Sequence, residues 1–303
     1  MTVNKPVDER LAPLMTAEGG FAMVALDQRE SLREMFPAGP GGELVGDDAL
    51  RDFKRTAAQV LTPHASGVLL DRPYAVTTAQ RPTWIAPTCG LLLAVDVLHS
   101  VRGAGVADTD LDEDVTPEFI KGAGATAIKL LIIWRRGQDK HVRTVQRFLE
   151  LAAAAGVGTF VEGIVRPPVD ADWKSPADRH EAILEAAADL SPGASVYKAE
   201  VPGYVAGDVS GVVDQSRALT EVVDGPWVVL SNGVRQADFA DAVTEACAGG
   251  SSGFLAGRAI WSDTVAEGDQ RAALLDRAVP RLHALSDIVR TSRIDSQTAK
   301  GKL

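Results

Sequence analysis

Little in this sequence belongs to the features that most directly dictate a function. Cysteine occurs only at Cys89 and Cys247, both inside apolar runs, so no disulfide framework is available and both thiols are expected to be small buried hydrophobes. The histidines, His64, His99, His141, His180 and His283, fall on separate segments without His-x-His or His-Glu-x-x-His spacing, so no metal or other cofactor is expected. Positive charge is also short. Lys and Arg number 31 against 41 Asp and Glu, a formal charge of −10, which excludes a nucleic-acid or anionic-membrane surface and means that an anionic substrate must be held by local cations. No apolar run reaches the ~18 residues of a spanning helix, and Met1 to Pro6 lacks an apolar leader, so no membrane partner and a cytoplasmic location are expected. There is no Gly-x-Gly-x-x-Gly turn after the first apolar run, where Asp27-Gln28-Arg29-Glu30 stands instead, which argues against an open dinucleotide-binding sheet.

What is present is a repeated alternation. Apolar runs span 21–26, 67–70, 90–95, 125–132, 159–164, 195–199, 227–230 and 253–256, each bounded by Gly, Pro or Asp. Helical stretches lie between them at 48–61, 117–122, 141–155, 175–190, 215–223 and 235–248, and Ser175-Pro176 and Thr116-Pro117 supply N-caps ahead of a first-turn proline. Strands too apolar for a one-sided sheet are buried parallel strands, and eight such units within 303 residues predict one (β/α)8 TIM barrel across the chain. A short N-terminal extension and a polar tail from Ser286, fraying at its end, are expected to flank it.

Barrel chemistry collects at the C-terminal ends of the strands. Those ends carry Asp27, Gln28 and Arg29, then Asp71, Asp96, Lys129, Glu162, Arg166, Lys198 and Glu200, and finally Ser231, Asn232, Gly257 and Arg258. A lysine at the mouth of a barrel suits nucleophilic chemistry, because removal from water disfavours the ammonium and leaves an amine able to attack a carbonyl. Residues two apart share a strand face, so Lys198 and Glu200 are expected to meet in one mouth. The bland alternative is a buried layer of ion pairs that fills the barrel. At the last two strand ends, the turns holding Ser231, Gly233, Gly257 and Arg258 suit a phosphate, since backbone N–H groups converge there beside a guanidinium.

Several runs together resemble a known family: Gly19 to Glu30, Ile128 to Arg135, Val165-Arg166-Pro167-Pro168, Tyr197 to Pro202, Trp227 to Val234, and Ser252 to Trp261. They are similar to the class I aldolases of the tagatose-1,6-bisphosphate aldolase type, and within these to the sulfonated-sugar branch, the sulfofructosephosphate aldolases. One departure stands out: Glu162-Gly163 occupies the place of that branch's Glu-Pro. The resemblance implies a Schiff base on Lys198, with Lys129 and Glu162 as supporting lysine and acid, Asp27 as a second candidate base, and a phosphate cradle of Ser231, Gly233, Gly257 and Arg258. Gln28 and Arg29 are assigned to the far anionic end of the substrate, and Glu200 to the substrate site. The expected activity is cleavage of 6-deoxy-6-sulfofructose 1-phosphate to dihydroxyacetone phosphate and sulfolactaldehyde, in sulfoquinovose breakdown. Tagatose 1,6-bisphosphate or a related ketose bisphosphate is the alternative substrate. A barrel epimerase or decarboxylase and a non-enzymatic sugar-phosphate-binding barrel are the rival classes. A homo-oligomer is expected.

Overall fold

Alternation of period two along short apolar strands organises the chain. The computed structural model describes residues 7–103, 105–169 and 171–300. In chain order the strands are β1 (Phe21–Ala25), β2 (Gly67–Asp71), β3 (Gly90–Ala94), β4 (Asp96–Val101), β5 (Gly105–Leu111), β6 (Ala127–Trp134), β7 (Gly158–Val165), β8 (Val196–Ala199), β9 (Trp227–Val229) and β10 (Gly253–Ala256). The helices are α1 (Glu30–Arg33), α2 (Asp47–Leu61), α3 (Pro117–Gly122), α4 (Lys140–Ala155), α5 (Pro176–Leu190), α6 (Val212–Val222), α7 (Phe239–Ala248), α8 (Arg258–Trp261), α9 (Gln270–Ala273) and α10 (Val279–Lys300). Eight parallel strands close into a barrel in the order β1-β10-β9-β8-β7-β6-β3-β2, with helices between successive barrel strands except β2 and β3, which turns and irregular chain over 72–89 connect; this is the (β/α)8 fold. The expected caps form: Ser175 Oγ accepts from Asp178 N at 3.1 Å and Thr116 Oγ1 from Phe119 N at 3.2 Å.

Inward positions fall into layers. Met23, Ala25, Leu69, Leu92, Ala94, Ala127, Phe160, Val196, Val228 and Leu255 fill the lower barrel with apolar side chains. Leu11 and Leu14, on the 3-10 turn Glu9–Leu14, plug its base. Gly67, Gly90 and Gly158 open three strands there because a Cβ at each would collide with Leu14, with Pro13 and Leu14, and with Leu11 respectively. One step of the alternation higher, the inward positions turn polar, and the lower apolar core thus becomes the floor of the mouth.

Two differences from the sequence expectations have local causes. The fourth barrel strand runs 127–134 rather than 125–132, because parallel pairing with β7 continues up to Trp134 opposite Val165. An antiparallel hairpin, β4–β5, is inserted after β3 and was not foreseen; it turns at Gly103, whose φ of 72° suits glycine. The polar tail from Ser286 is helical through Lys300, and its expected fraying at 301–303 lies outside the described residues. Leu282, Leu285 and Val289 recur at helical spacing and are buried, and Gln297 Nε2 donates to Glu18 O at 3.1 Å, so α10 runs on through Lys300. Among the described residues no helix is long and apolar enough to cross a membrane. Both cysteines are free and buried, and burial pushes the Cys89 thiol up to about 12 and that of Cys247 up to about 11.

Candidate active site

The polar layer is one chain of alternating charges. Lys54 Nζ, reaching in from α2, lies 2.5 Å from Asp71 Oδ1 at the end of β2, and Asp71 Oδ2 lies 3.6 Å from Arg29 Nε. Arg29 Nη2 donates to Asp96 Oδ1 at 2.9 Å, and Asp96 Oδ2 accepts from Lys129 Nζ at 3.0 Å. Lys129 also donates to Asp27 Oδ2 at 2.7 Å and stands 2.9 Å from Glu162 Oε2. That same oxygen accepts from Lys198 Nζ at 2.9 Å. Lys54, Lys129, Asp71 and Asp96 are buried to about 1% exposure or less, so each charge depends on its neighbours for solvation.

Strand register creates this proximity. Glu162 on β7 pairs with Lys198 on β8, and Lys129 sits on β6 next to β7, so the three inward side chains project at neighbouring heights. Lys129 is far from the exposed strand-end lysine that is ordinary at such positions; it is fully buried among three carboxylates. Burial opposes its charge, but Asp27, Asp96 and Glu162 outweigh burial and hold its pKa well above 10.5. Burial likewise pushes the Asp27 carboxyl upward, yet Lys129 and then Lys198 hold it well below the usual carboxylate range. In the Lys54–Asp71 pair, burial pulls the lysine down and pushes the acid up, against their mutual attraction.

Above this layer lies a cavity of about 130 Å³. Lys198, Glu162, Asp27, Gln28, Asn232 and Arg258 line one side. Leu131, Ile133 and Ile164, with Leu98 and Val106 from the β4–β5 hairpin, make the other side apolar. Arg166, just past β7, completes the lining with Ser31 and Gly105. Arg258 Nη2 donates to Asn232 Oδ1, joining the ends of β9 and β10. Gly233 turns at φ 76°, and a Cβ at Gly257 would strike Ala25 O and Gln28 Nε2, so the backbone approaches the β1 end closely there. Gln28 Oε1 is buried without a hydrogen-bond partner among the described residues.

The geometry thus brings together Lys198, Glu162, Lys129, Asp27, Gln28 and Arg258, with Ser231, Gly233 and Gly257 on the turns beside Arg258. Two expected site residues are elsewhere. Arg29 does not face the cavity, because Asp96 and Asp71 draw its guanidinium into the charge chain. Glu200 does not join Lys198 in the mouth: its Oε2 accepts from Val165 N at 2.8 Å and its Oε1 from Arg179 at 2.9 Å, which turns it toward α5. Trp134, at the end of β6, points outward and donates to Asp189 Oδ2 at 2.8 Å. Asn232 and Arg166 stand at strand ends, which is the signal that could have singled them out as cavity residues; the hairpin residues Leu98 and Val106 carry none, since they enter from an insertion. Asp27, Asp71 and Asp96, which could in principle offer oxygen ligands to magnesium, are each paired with lysine or arginine. No group of three or more metal-ligating side chains occurs among the described residues.

A (β/α)8 barrel whose mouth holds this buried lysine–glutamate–lysine arrangement has the architecture of a barrel aldehyde-lyase. The chain belongs to the DeoC/LacD family of aldolases, whose model matches residues 21–263. It is 28% identical over 276 residues to tagatose 1,6-diphosphate aldolase 1 of Streptococcus pyogenes serotype M3 (strain SSI-1), covering 82% of each chain. It is 28% identical over 288 residues to tagatose 1,6-diphosphate aldolase of Listeria monocytogenes serotype 4b (strain CLIP80459), covering 87% of this chain and 83% of the relative. Two solved structures share the fold. An archaeal fructose 1,6-bisphosphate aldolase superposes with a TM-score of 0.64 at 17% identity, and a structure described as a Schiff base forming fructose-1,6-bisphosphate aldolase with a TM-score of 0.61 at 17% identity; each covers 93% of this chain and 98% of its own. The chain is accordingly an aldolase of the aldehyde-lyase class.

Proposed function

We propose that this aldolase cleaves a six-carbon ketose 1-phosphate between C3 and C4 through a Schiff base on Lys198, with no metal. The observation that carries the reading is unequal sharing of carboxylates. Among the described residues Lys129 has three to itself or in part, whereas Lys198 has only Glu162, which it shares with Lys129. Lys129 is therefore the fixed cation, and Lys198, held by a single shared carboxylate, is the lysine placed to attack a carbonyl. The amine adds to the C2 ketone, the carbinolamine loses water, and the resulting iminium draws the C3–C4 bonding electrons as a base takes the C4 hydroxyl proton. The aldehyde departs, the enamine is protonated at C3, and water releases dihydroxyacetone phosphate and the free lysine. Glu162 is the first choice of base, since Asp27 is held so far below the usual carboxylate range that it accepts a proton poorly. Arg258, Asn232 and the backbone of Ser231, Gly233 and Gly257 hold the C1 phosphate.

For the substrate, the resemblance to the sulfofructosephosphate aldolases supports 6-deoxy-6-sulfofructose 1-phosphate, yielding sulfolactaldehyde, in sulfoquinovose breakdown. Tagatose 1,6-bisphosphate is the second reading, favoured by what the bacterial relatives are named for. The reading also includes a cytoplasmic homo-oligomer, which light scattering on the purified enzyme would test. Borohydride reduction in the presence of dihydroxyacetone phosphate is expected to add the triose mass to the peptide containing Lys198; an adduct on Lys129, or none at all, overturns the assignment. A panel of sulfofructose 1-phosphate, tagatose 1,6-bisphosphate and fructose 1,6-bisphosphate then ranks the substrates by kcat/KM.

A further inference from the structure

The cavity has a guanidinium at each of two strand ends, Arg166 after β7 and Arg258 after β10, and the C1 phosphate uses only Arg258. Arg29, the residue expected at the far end of the substrate, is committed to Asp96 and Asp71. Arg166 is not so committed. It lines the cavity just past the end of β7, its hydrogen bond among the described residues is from Nη1 to its neighbour's carbonyl, Val165 O, at 3.1 Å, and it forms no salt bridge among them. Its charged neighbours include Arg135, Arg179 and Arg258 with the carboxylate of Glu200, and both oxygens of that carboxylate are already occupied. Burial pulls the Arg166 guanidinium below its ordinary value, with Glu200 opposing and Arg135 and Arg179 adding to the fall, so an anion bound beside it would favour its charged form. Arg135 Nε is itself buried without a hydrogen-bond partner among the described residues. The apolar side of the cavity, Leu98, Val106, Leu131, Ile133 and Ile164, offers no side-chain donor for a charged substrate group, which leaves Arg166 as the cation that can meet one there.

From this geometry we infer that Arg166 is a specificity-determining residue that binds a tetrahedral oxyanion, phosphate or sulfonate, on the aldehyde half of the ketose phosphate, across the apolar wall from Arg258. The inference rests on the aldolase reading above and adds to it which side chain selects the second charge. A guanidinium suits the task because its fork of N–H groups matches two oxyanion oxygens at once.

The test uses the full-length enzyme and its Arg166→Met and Arg166→Lys variants, with ketohexose 1-phosphates carrying phosphate, sulfonate or a free hydroxyl at C6. Arg166→Met is expected to lower kcat/KM for the two C6-charged substrates at least tenfold more than for the C6-hydroxyl substrate, mainly through KM, and Arg166→Lys to recover part of the loss. The larger loss, with phosphate or with sulfonate, identifies the anion the subsite serves. Equal losses on all three substrates, or none on the charged pair, overturn the inference. Borohydride trapping with dihydroxyacetone phosphate, which has no aldehyde half, separates the two levels. Wild-type enzyme that fails to trap overturns the Schiff-base reading itself. Trapping retained in both variants, with no discrimination among the three ketoses, overturns only the role of Arg166.

Discussion

Glu162 Oε2 stands 2.9 Å from Lys198 Nζ, and the two residues are directly paired across β7 and β8. A backbone register therefore fixes a carboxylate beside an amine, and no loop motion is needed to assemble the pair.

The lysines should separate under mutation. Lys198→Ala is expected to abolish borohydride trapping while keeping the folded state, because Glu162 retains Lys129 as its partner. Lys129→Met should lose activity and melt at a lower temperature, since it leaves Asp27, Asp96 and Glu162 buried without their shared cation, a change of about 3–5 kcal/mol. Calorimetry and trapping on both variants check this; a stable Lys129→Met would show that the charge chain does not depend on it.

Glu162→Gln should keep binding but slow the reaction by about 10²–10⁴-fold, the usual loss when a positioned base is removed. Asp27→Asn should cost less in the chemical step, because Asp27 remains ionised and bound to Lys129 throughout the neutral range. Single-turnover rates on the two variants decide between them; a larger loss for Asp27→Asn would reverse the assignment of base.

The room that Gly163 leaves is taken by the hydroxyl of Tyr197, which would overlap any Cβ there. Gly163→Ala is expected to destabilise the barrel by about 1–3 kcal/mol through overpacking, and Tyr197→Phe in the same chain should recover part of it. Denaturant midpoints of the single and double variants measure this. An additive pair would mean that the two positions do not share the space.

His64 Nδ1 and His283 Nε2 are 2.9 Å apart, linking the segment after α2 to α10. Burial and then His283 pull the His64 pKa below 6.5, so between the two values the unfolded chain binds more protons than the folded one. Stability from this contact is complete above about pH 6.5 and declines as pH falls through it. His64→Gln is expected to flatten the fall in Tm between pH 7.5 and pH 5.5; an unchanged slope would remove the histidine pair as its source.

The barrel was legible from residue order alone, because buried parallel strands need apolar runs and the crossover helices need the polar, capped stretches between them. Period two also determined which side chains point inward: Lys129, Glu162 and Lys198 follow from the alternation that buries Ala127, Phe160 and Val196. Which inward groups touch was a matter of tertiary structure. Arg29 and Glu200 had the right residue type and the right strand ends, yet Asp96 and Asp71 took one, and Val165 N and Arg179 took the other. The sequence cannot decide such competition, since a buried charge goes to whichever opposite charge closure of the barrel brings nearest, and those partners are 42, 67, 35 and 21 residues away. The β4–β5 hairpin, lacking a strong apolar run, and α10, whose buried Leu282, Leu285 and Val289 lead into a polar tail, likewise acquire their structure from the barrel they pack against.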